Sequence, residues 1–115
     1  MNTTTSNLVT VGPMDTAINI LIDDIKADFS NSRPDDDQIE RFNNSITYSV
    51  GKKYIKIISN NSVWGFIVNT DTDSKFEYGD ILKAANWKTP ARNSARGNII
   101  TGNYQINWTG PNYLT

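Results

Sequence analysis

The sequence predicts an α+β fold: one twisted, mainly antiparallel sheet of four to five strands, with an N-terminal amphipathic helix packed on one face. Three observations carry this expectation. Apolar residues recur at steps of three and four from Met14 to Phe29, and short alternating runs replace them from residue 45 onward. Turn-forming residues bound most of those runs, as in hairpin-connected strands. The 115 residues match the usual size of one domain. Residues 13–115 are therefore read as a single domain, preceded by an extended or flexible segment over residues 1–12.

The helix presents Met14, Ala17, Ile18, Leu21, Ile22, Ile25 and Phe29 along one stripe. Asp15 or Thr16 is expected to cap its start, and Asn31-Ser32-Arg33-Pro34 to end it. Ile20 falls off the stripe, which predicts a second contact on that side. Pro34 followed by Asp35, Asp36 and Asp37 reads as the first turn of a short helix, where acids favour the macrodipole. Ile39 and Phe42 would face inward from it. Three aspartates offer oxygen ligands to a divalent cation. Consecutive side chains diverge, however, and no further ligand is evident, so no metal site is expected.

Strands follow. Ile46, Tyr48 and Val50 alternate with polar residues, as in a half-buried strand, and Gly51-Lys52 turns the chain. Residues 54–59 return with Ile55 and Ile57 on one face and Tyr54, Lys56 and Ile58 on the other. After Asn60-Asn61-Ser62, residues 63–68 are apolar on both faces, which marks a central strand. Strict alternation places Trp64, Phe66 and Val68 together, opposite Val63 and Ile67. Gly65, inside that run, marks a bulge or a close approach. The D-x-D spacing at Asp71 and Asp73 lacks the glycine and glutamate of a calcium loop and reads as a solvated turn. Residues 76–84 predict a further strand interrupted near Gly79-Asp80. Residues 90–96 predict a helical turn or two between Pro90 and Gly97, and residues 104–108 a last strand.

Composition narrows the chemistry. The chain has no cysteine and no histidine, which excludes disulfides, zinc-thiolate sites, cysteine nucleophiles and every histidine-dependent base or triad. The carboxylates Glu40, Glu77 and Asp80 show no pattern that sets two of them across a cleft. A non-enzymatic protein without cofactor or metal is expected. No apolar run approaches the roughly 18 residues of a membrane span, and the polar, uncharged N-terminus differs from a signal peptide. A cytoplasmic protein without membrane contact is the corresponding expectation.

Charge is polarised along the chain. Residues 1–50 hold eight acids and three bases, whereas residues 81–115 hold Lys83, Lys88, Arg92 and Arg96 and no acid. Such asymmetry points to an anionic partner for the C-terminal third, or to neutralisation of one end by the other. Within that third, Lys83, Asn86, Trp87, Lys88, Arg92, Arg96 and Asn98 combine cations, amides and an aromatic face, the groups that hold phosphate and base. Thr89-Pro90 would aim a helix N-terminus at the same anion. The alternative is a plugged core at Trp87 and Arg92 and Arg96 paired with the acids of residues 15–40. A second candidate is the aromatic–cation pair Tyr54 and Lys56. Its alternative is an edge strand protected by lysine.

Two stretches carry a family resemblance. Gly51-Lys52-Lys53-Tyr54-Ile55-Lys56-Ile57 follows a G-[KR]-K-Y-x-K-[IV] pattern. Gly79-Asp80-Ile81-Leu82-Lys83-Ala84-Ala85-Asn86-Trp87-Lys88-Thr89-Pro90-Ala91, running on to Ala95-Arg96-Gly97-Asn98-Ile99, follows G-D-[IV]-x-K-A-A-x-W-K-x-P-A and A-R-G-N-[IV]. Together they resemble a widespread family of small, mostly uncharacterised bacteriophage proteins, and W-K-x-P-A is the most specific piece. The resemblance implies a phage origin and a small α+β domain, and no activity. Phage proteins of this size without catalytic residues often act by binding. The leading expectation is a binder of a phosphorylated small molecule, such as a nucleotide signal of bacterial immunity, in a site often completed by a homo-oligomer. Nucleic-acid binding is the first alternative. A host-protein or virion interaction through exposed Tyr78, Trp108 and Tyr113 is the second.

Overall fold

The stripe beginning at Met14 forms α1 (Pro13–Asn31) in the computed structural model, which describes residues 13–111. The expectations for residues 1–12 and for Tyr113 lie outside the described residues. Met14, Ala17, Ile18, Leu21 and Ile25 are buried, and each fully buried Leu or Ile contributes about 1.5–3 kcal/mol by leaving water. Pro13 occupies the first helical position, where its missing N–H is no loss. Asp15 and Thr16 consequently lie inside the helix, which corrects their assignment as caps; Asp15 instead meets the positive end of the dipole. Ile20 is 53% exposed, so the second contact expected there is not made among the described residues.

The triple aspartate has a local use. Asp35 caps α2 (Asp36–Ser45), its Oδ1 accepting from the Gln38 N–H at 2.8 Å while Gln38 Oε1 accepts from the Asp35 N–H at 2.9 Å. This reciprocal box satisfies two helix-end donors, and Asp36 and Asp37 fill the first turn. Phe42 is the buried residue of α2, and Ile39 is half-buried.

Four strands pair antiparallel in chain order: β1 (Thr47–Val50), β2 (Tyr54–Ser59), β3 (Ser62–Val68) and β4 (Ile81–Leu82). All of β1 is exposed, Val50 at 66%, which corrects the half-buried strand expected there. Among the described residues neither core includes a β1 side chain, and Ile46 just before the strand supplies the core contact of that run. β2 alternates as expected, with Ile55 and Ile57 buried.

In β3 the pairing passes from Ile57↔Gly65 to Ile58↔Val63, leaving Trp64 as an extra residue. This is the bulge that Gly65 marks. It reverses the alternation, so Trp64 joins Ile67 beneath α1 while Val63, Phe66 and Val68 face the other way. The expected grouping of Trp64 with Phe66 and Val68 is corrected accordingly. A Cβ on Gly65 would lie 3.1 Å from the Leu82 carbonyl oxygen, a close approach as well.

The sheet is thus covered twice. Beneath α1, Ile55, Ile57, Trp64, Ile67 and Ile81 meet the helix, Phe42 and Ile99. On the other face Phe66, Val68, Phe76 and Leu82 form a second core with Tyr54, Val63, Ala84 and Ala95. The segment that covers this second face departs from expectation. The strand predicted over 76–84 shrinks to Ile81–Leu82, flanked by single bridges Asp80↔Asn98 and Ala84↔Pro90. The helix predicted over 90–96 does not form; backbone donors of that segment go instead to β4 and the residue after it, Ala91 N donating to Lys83 O and Arg96 N to Ile81 O, each at 2.7 Å. The predicted strand 104–108 divides into two small hairpins. β5 (Gly97–Asn98) pairs with β6 (Asn103–Tyr104), and β7 (Ile106–Asn107) pairs with β8 (Gly110–Pro111). Trp64 Nε1 donates to Asn107 O at 2.9 Å, tying the second hairpin to the sheet.

Candidate functional site

Tyr54 and Lys56 leave β2 on the face opposite α1, and a turn and a loop converge on them. The turn before β2 is closed by Gly51 N donating to Tyr54 O at 2.9 Å. Asn69, just after β3, holds it, donating from Nδ2 to Gly51 O at 2.9 Å and from N to Lys53 O at 2.7 Å. The loop over residues 84–90 is closed by Ala85 N donating to Thr89 O at 3.0 Å. Asn86 Oδ1 braces it internally, accepting from the backbone of Lys88 and Thr89 and from the Thr89 hydroxyl at 2.9–3.0 Å.

These elements enclose an open depression of about 330 Å³ at the end of β1. Lys52, Lys53, Lys56 and Lys88 line it, with Tyr54 and Phe66 as its aromatic wall, and no carboxylate is among the lining residues. The Lys56 ammonium sits 4.8 Å above the Trp87 ring, which is 51% exposed. Such a cation–π contact orients both groups for about 0.5–1 kcal/mol at an exposed site.

Arg92 braces the wall from behind. It donates to both carboxylate oxygens of Asp73, at 3.0 and 2.8 Å, and to the Tyr54 hydroxyl at 2.5 Å, with its guanidinium 4.9 Å over the Phe76 ring. Asp73 also accepts from Lys75 N and Phe76 N, at 2.8 and 3.0 Å, and its side chain is 2% exposed. The hydrogen bond from Arg92, reinforced by those two amides, holds the Asp73 carboxyl well below the usual carboxylate range. The same hydrogen bond raises Arg92 above its own ordinary value. The loop at 70–74 is solvated as expected at Asp71, Thr72 and Ser74, but the Asp73 carboxylate turns inward as an acceptor. The partner of Arg92 is this acid, not one from residues 15–40.

The model of a family of unknown function, DUF7717, matches residues 3–114. This chain belongs to DUF7717. No curated protein and no solved structure matches it. The family match runs well beyond the 51–57 and 79–99 stretches, through both helices and the C-terminal hairpins.

In the DUF7717 protein the residues singled out from sequence separate into two groups. Tyr54, Lys56 and Lys88 line the depression, and Trp87 borders it through Lys56. Arg92 reaches it only through Tyr54. Arg96 is 1% exposed, with Nε donating to Ser94 O at 3.2 Å and Nη2 to Asn93 Oδ1 at 3.4 Å, and belongs to the interior. Asn98 is committed to structure. Its Nδ2 donates to Tyr78 O and Asp80 Oδ1, and its Oδ1 accepts from Ile100 N and Thr101 N. Lys83 is exposed and does not line the depression. Lys52 and Lys53 line it too; they belong to the 51–57 stretch, of which the sequence singles out Tyr54 and Lys56 as the site. Lys52 and Lys53 sit in the turn before β2, where alternation carries no information, and the signal for them was the run of like charge itself. Glu77 and Asp80 line a separate hollow of about 240 Å³, in which Asp80 Oδ2 accepts from the Glu77 N–H at 2.9 Å. Among the described residues no group of three or more carboxylates gathers where it could hold a metal, and no helix is long and apolar enough to cross a membrane.

Proposed function

We propose that this DUF7717 protein is a non-enzymatic binder of a phosphate-bearing nucleotide. Lys52, Lys53, Lys56 and Lys88 hold the phosphates, and Trp87 and Tyr54 take the base or sugar. The observation that carries the reading is the 330 Å³ depression lined by those four lysines and no carboxylate. Its size is that of a small-molecule site, about 300–1,000 Å³. Lysine supplies point charges to phosphate, and an exposed indole offers a face on which any base stacks. The depression unites two segments some thirty residues apart, the same two that resemble small bacteriophage proteins. That resemblance supports a phage origin and implies no activity; with such an origin, the lysine-lined depression would serve to sequester a nucleotide signal of immunity in an infected bacterial cytoplasm.

A thermal-shift screen against cyclic di- and trinucleotides, ADP-ribose derivatives and short oligonucleotides tests this. A ligand at about 100 times its Kd adds roughly 2.7 kcal/mol of stability. The shift should vanish in Lys56→Glu/Lys88→Glu, whose side chains are outside both cores. Affinity that grows with oligonucleotide length and falls steeply with salt would assign the site to single-stranded nucleic acid instead. No shift with any ligand would sink the proposal.

A further inference from the structure

A second hollow, of about 210 Å³, lies on the helix-covered side of the sheet, where the end of α1, α2 and the β2–β3 turn meet Trp108. Its floor is aromatic. The Phe29 and Phe42 rings stack with centroids 4.1 Å apart, and Trp108 stands edge-on to them at 5.0 and 5.7 Å. Gln38, Arg41 and Asn60 complete the lining, which holds no carboxylate.

The walls are fixed by bonds that leave their side-chain donors for a ligand. Gln38 uses its Oε1 to cap α2, so its amide NH₂ is not consumed by the cap. Asn60 has a left-handed backbone, φ 52°, and its N–H donates to Ser45 Oγ at 2.9 Å, which locks the turn against α2. Asp28 is engaged by the Trp108 N–H at 2.8 Å. Asp37 stands one helical turn before Arg41, a spacing that suits an ion pair. Among the described residues, however, Arg41 makes no ion pair.

An aromatic floor with one cation and two amides at its rim matches a small planar organic anion. A ligand ring packs offset or edge-on to the aromatic residues, and its carboxylate meets the planar guanidinium fork bidentately. A cavity of about 150 Å³ accepts benzene, so this hollow has room for a ring and a short polar arm. We propose that it is a second binding site, independent of the lysine depression, for an aromatic carboxylate of one or two rings.

The chain has three tryptophans, so three indole N–H resonances report on separate places: Trp108 here, Trp87 at the depression and Trp64 in the core. Titration of the ¹⁵N-labelled protein with benzoate and with indole-3-acetate should move the Trp108 signal saturably and leave Trp64 in place. Benzamide, of the same shape without the charge, should bind roughly tenfold more weakly, as should benzoate to Arg41→Gln, given the usual strength of hydrogen bonds to a charged group. Arg41 is exposed, and glutamine is an equally good helix former, so the fold survives the change. An unmoved Trp108 signal would overturn the proposal and leave the hollow a packing gap. Equal binding of benzoate and benzamide would overturn it, as would Arg41→Gln without effect. A response confined to Trp87 would place the anion in the lysine depression and equally refute a second site.

Discussion

Gly97→Ala should cost this protein about 2–6 kcal/mol, whereas Gly102→Ala, five residues away, should cost no more than about 1–2. Gly97 has φ +131°, a conformation essentially restricted to glycine and worth about 1–3 kcal/mol of strain in any other residue. A Cβ there would lie 2.6 Å from Tyr104 Cβ, 2.7 Å from Asn103 O and 2.8 Å from Tyr104 Cα. Two of those atoms are backbone of the paired strand β6, so relief requires parting the hairpin, at a further cost of about 1–3 kcal/mol. Gly102 also has positive φ, +75°, but nothing lies within 4 Å of its added Cβ; it pays only the left-handed penalty, about 1–2 kcal/mol. Urea unfolding followed by far-UV circular dichroism measures both, at unchanged denaturant slope. Against a total of about 5–15 kcal/mol the Gly97 loss is large. It also reaches the site, since Arg96 N anchors the 83–96 segment to Ile81 beside it. Equal costs for the two glycines would refute the β5–β6 pairing and the account of that segment with it.

Other expectations follow from the same contacts. Asp73, held below its ordinary 3.8 by Arg92, contributes stability that is complete above that value and is lost as pH falls below it; Asp73→Asn should lower stability at neutral pH and flatten the acid limb of a Tm–pH curve. Burial, and then the hydrogen bond to Asp24 at 2.5 Å, raises Tyr104 above its ordinary 10.0, so its contribution is full below that pH and lost above it. An alkaline absorbance titration should find one of the five tyrosines ionising late, and Tyr104→Phe should remove that late step. Trp64→Phe leaves the Asn107 carbonyl without its indole donor and should cost about 1–3 kcal/mol in chemical denaturation. Arg92→Gln should weaken nucleotide binding severalfold by releasing Tyr54, while Lys56→Glu and Lys88→Glu weaken it and reduce its salt dependence.

Much of the fold was legible because hydrophobic periodicity is a local signal. The α1 stripe, the alternation of β2 and the bulge at Gly65 all follow from spacing within a few residues. The failures came where distant backbone decided the outcome. In place of the 90–96 helix, backbone donors go to the carbonyls of Lys83 and Ile81, which no local pattern reveals. Trp64 changed face because one inserted residue reverses parity along β3. The site was half legible. Lysines, an indole and a tyrosine were marked by type, and the fold united the two segments that carry them. Arginine type alone did not separate Arg92, which braces Tyr54, from Arg96 in the interior, since their roles rest on Asp73 and on burial.

The most direct test of the nucleotide site is where a nucleotide perturbs the molecule. In a ¹H–¹⁵N titration with the best ligand from the screen, the account predicts saturable shifts at the Trp87 indole and at the amides of Lys52, Lys53, Tyr54, Lys56 and Lys88. Arg96 and Asn98 should stay still. Shifts centred on Asn98 and the 240 Å³ hollow, or scattered without saturation, would contradict it.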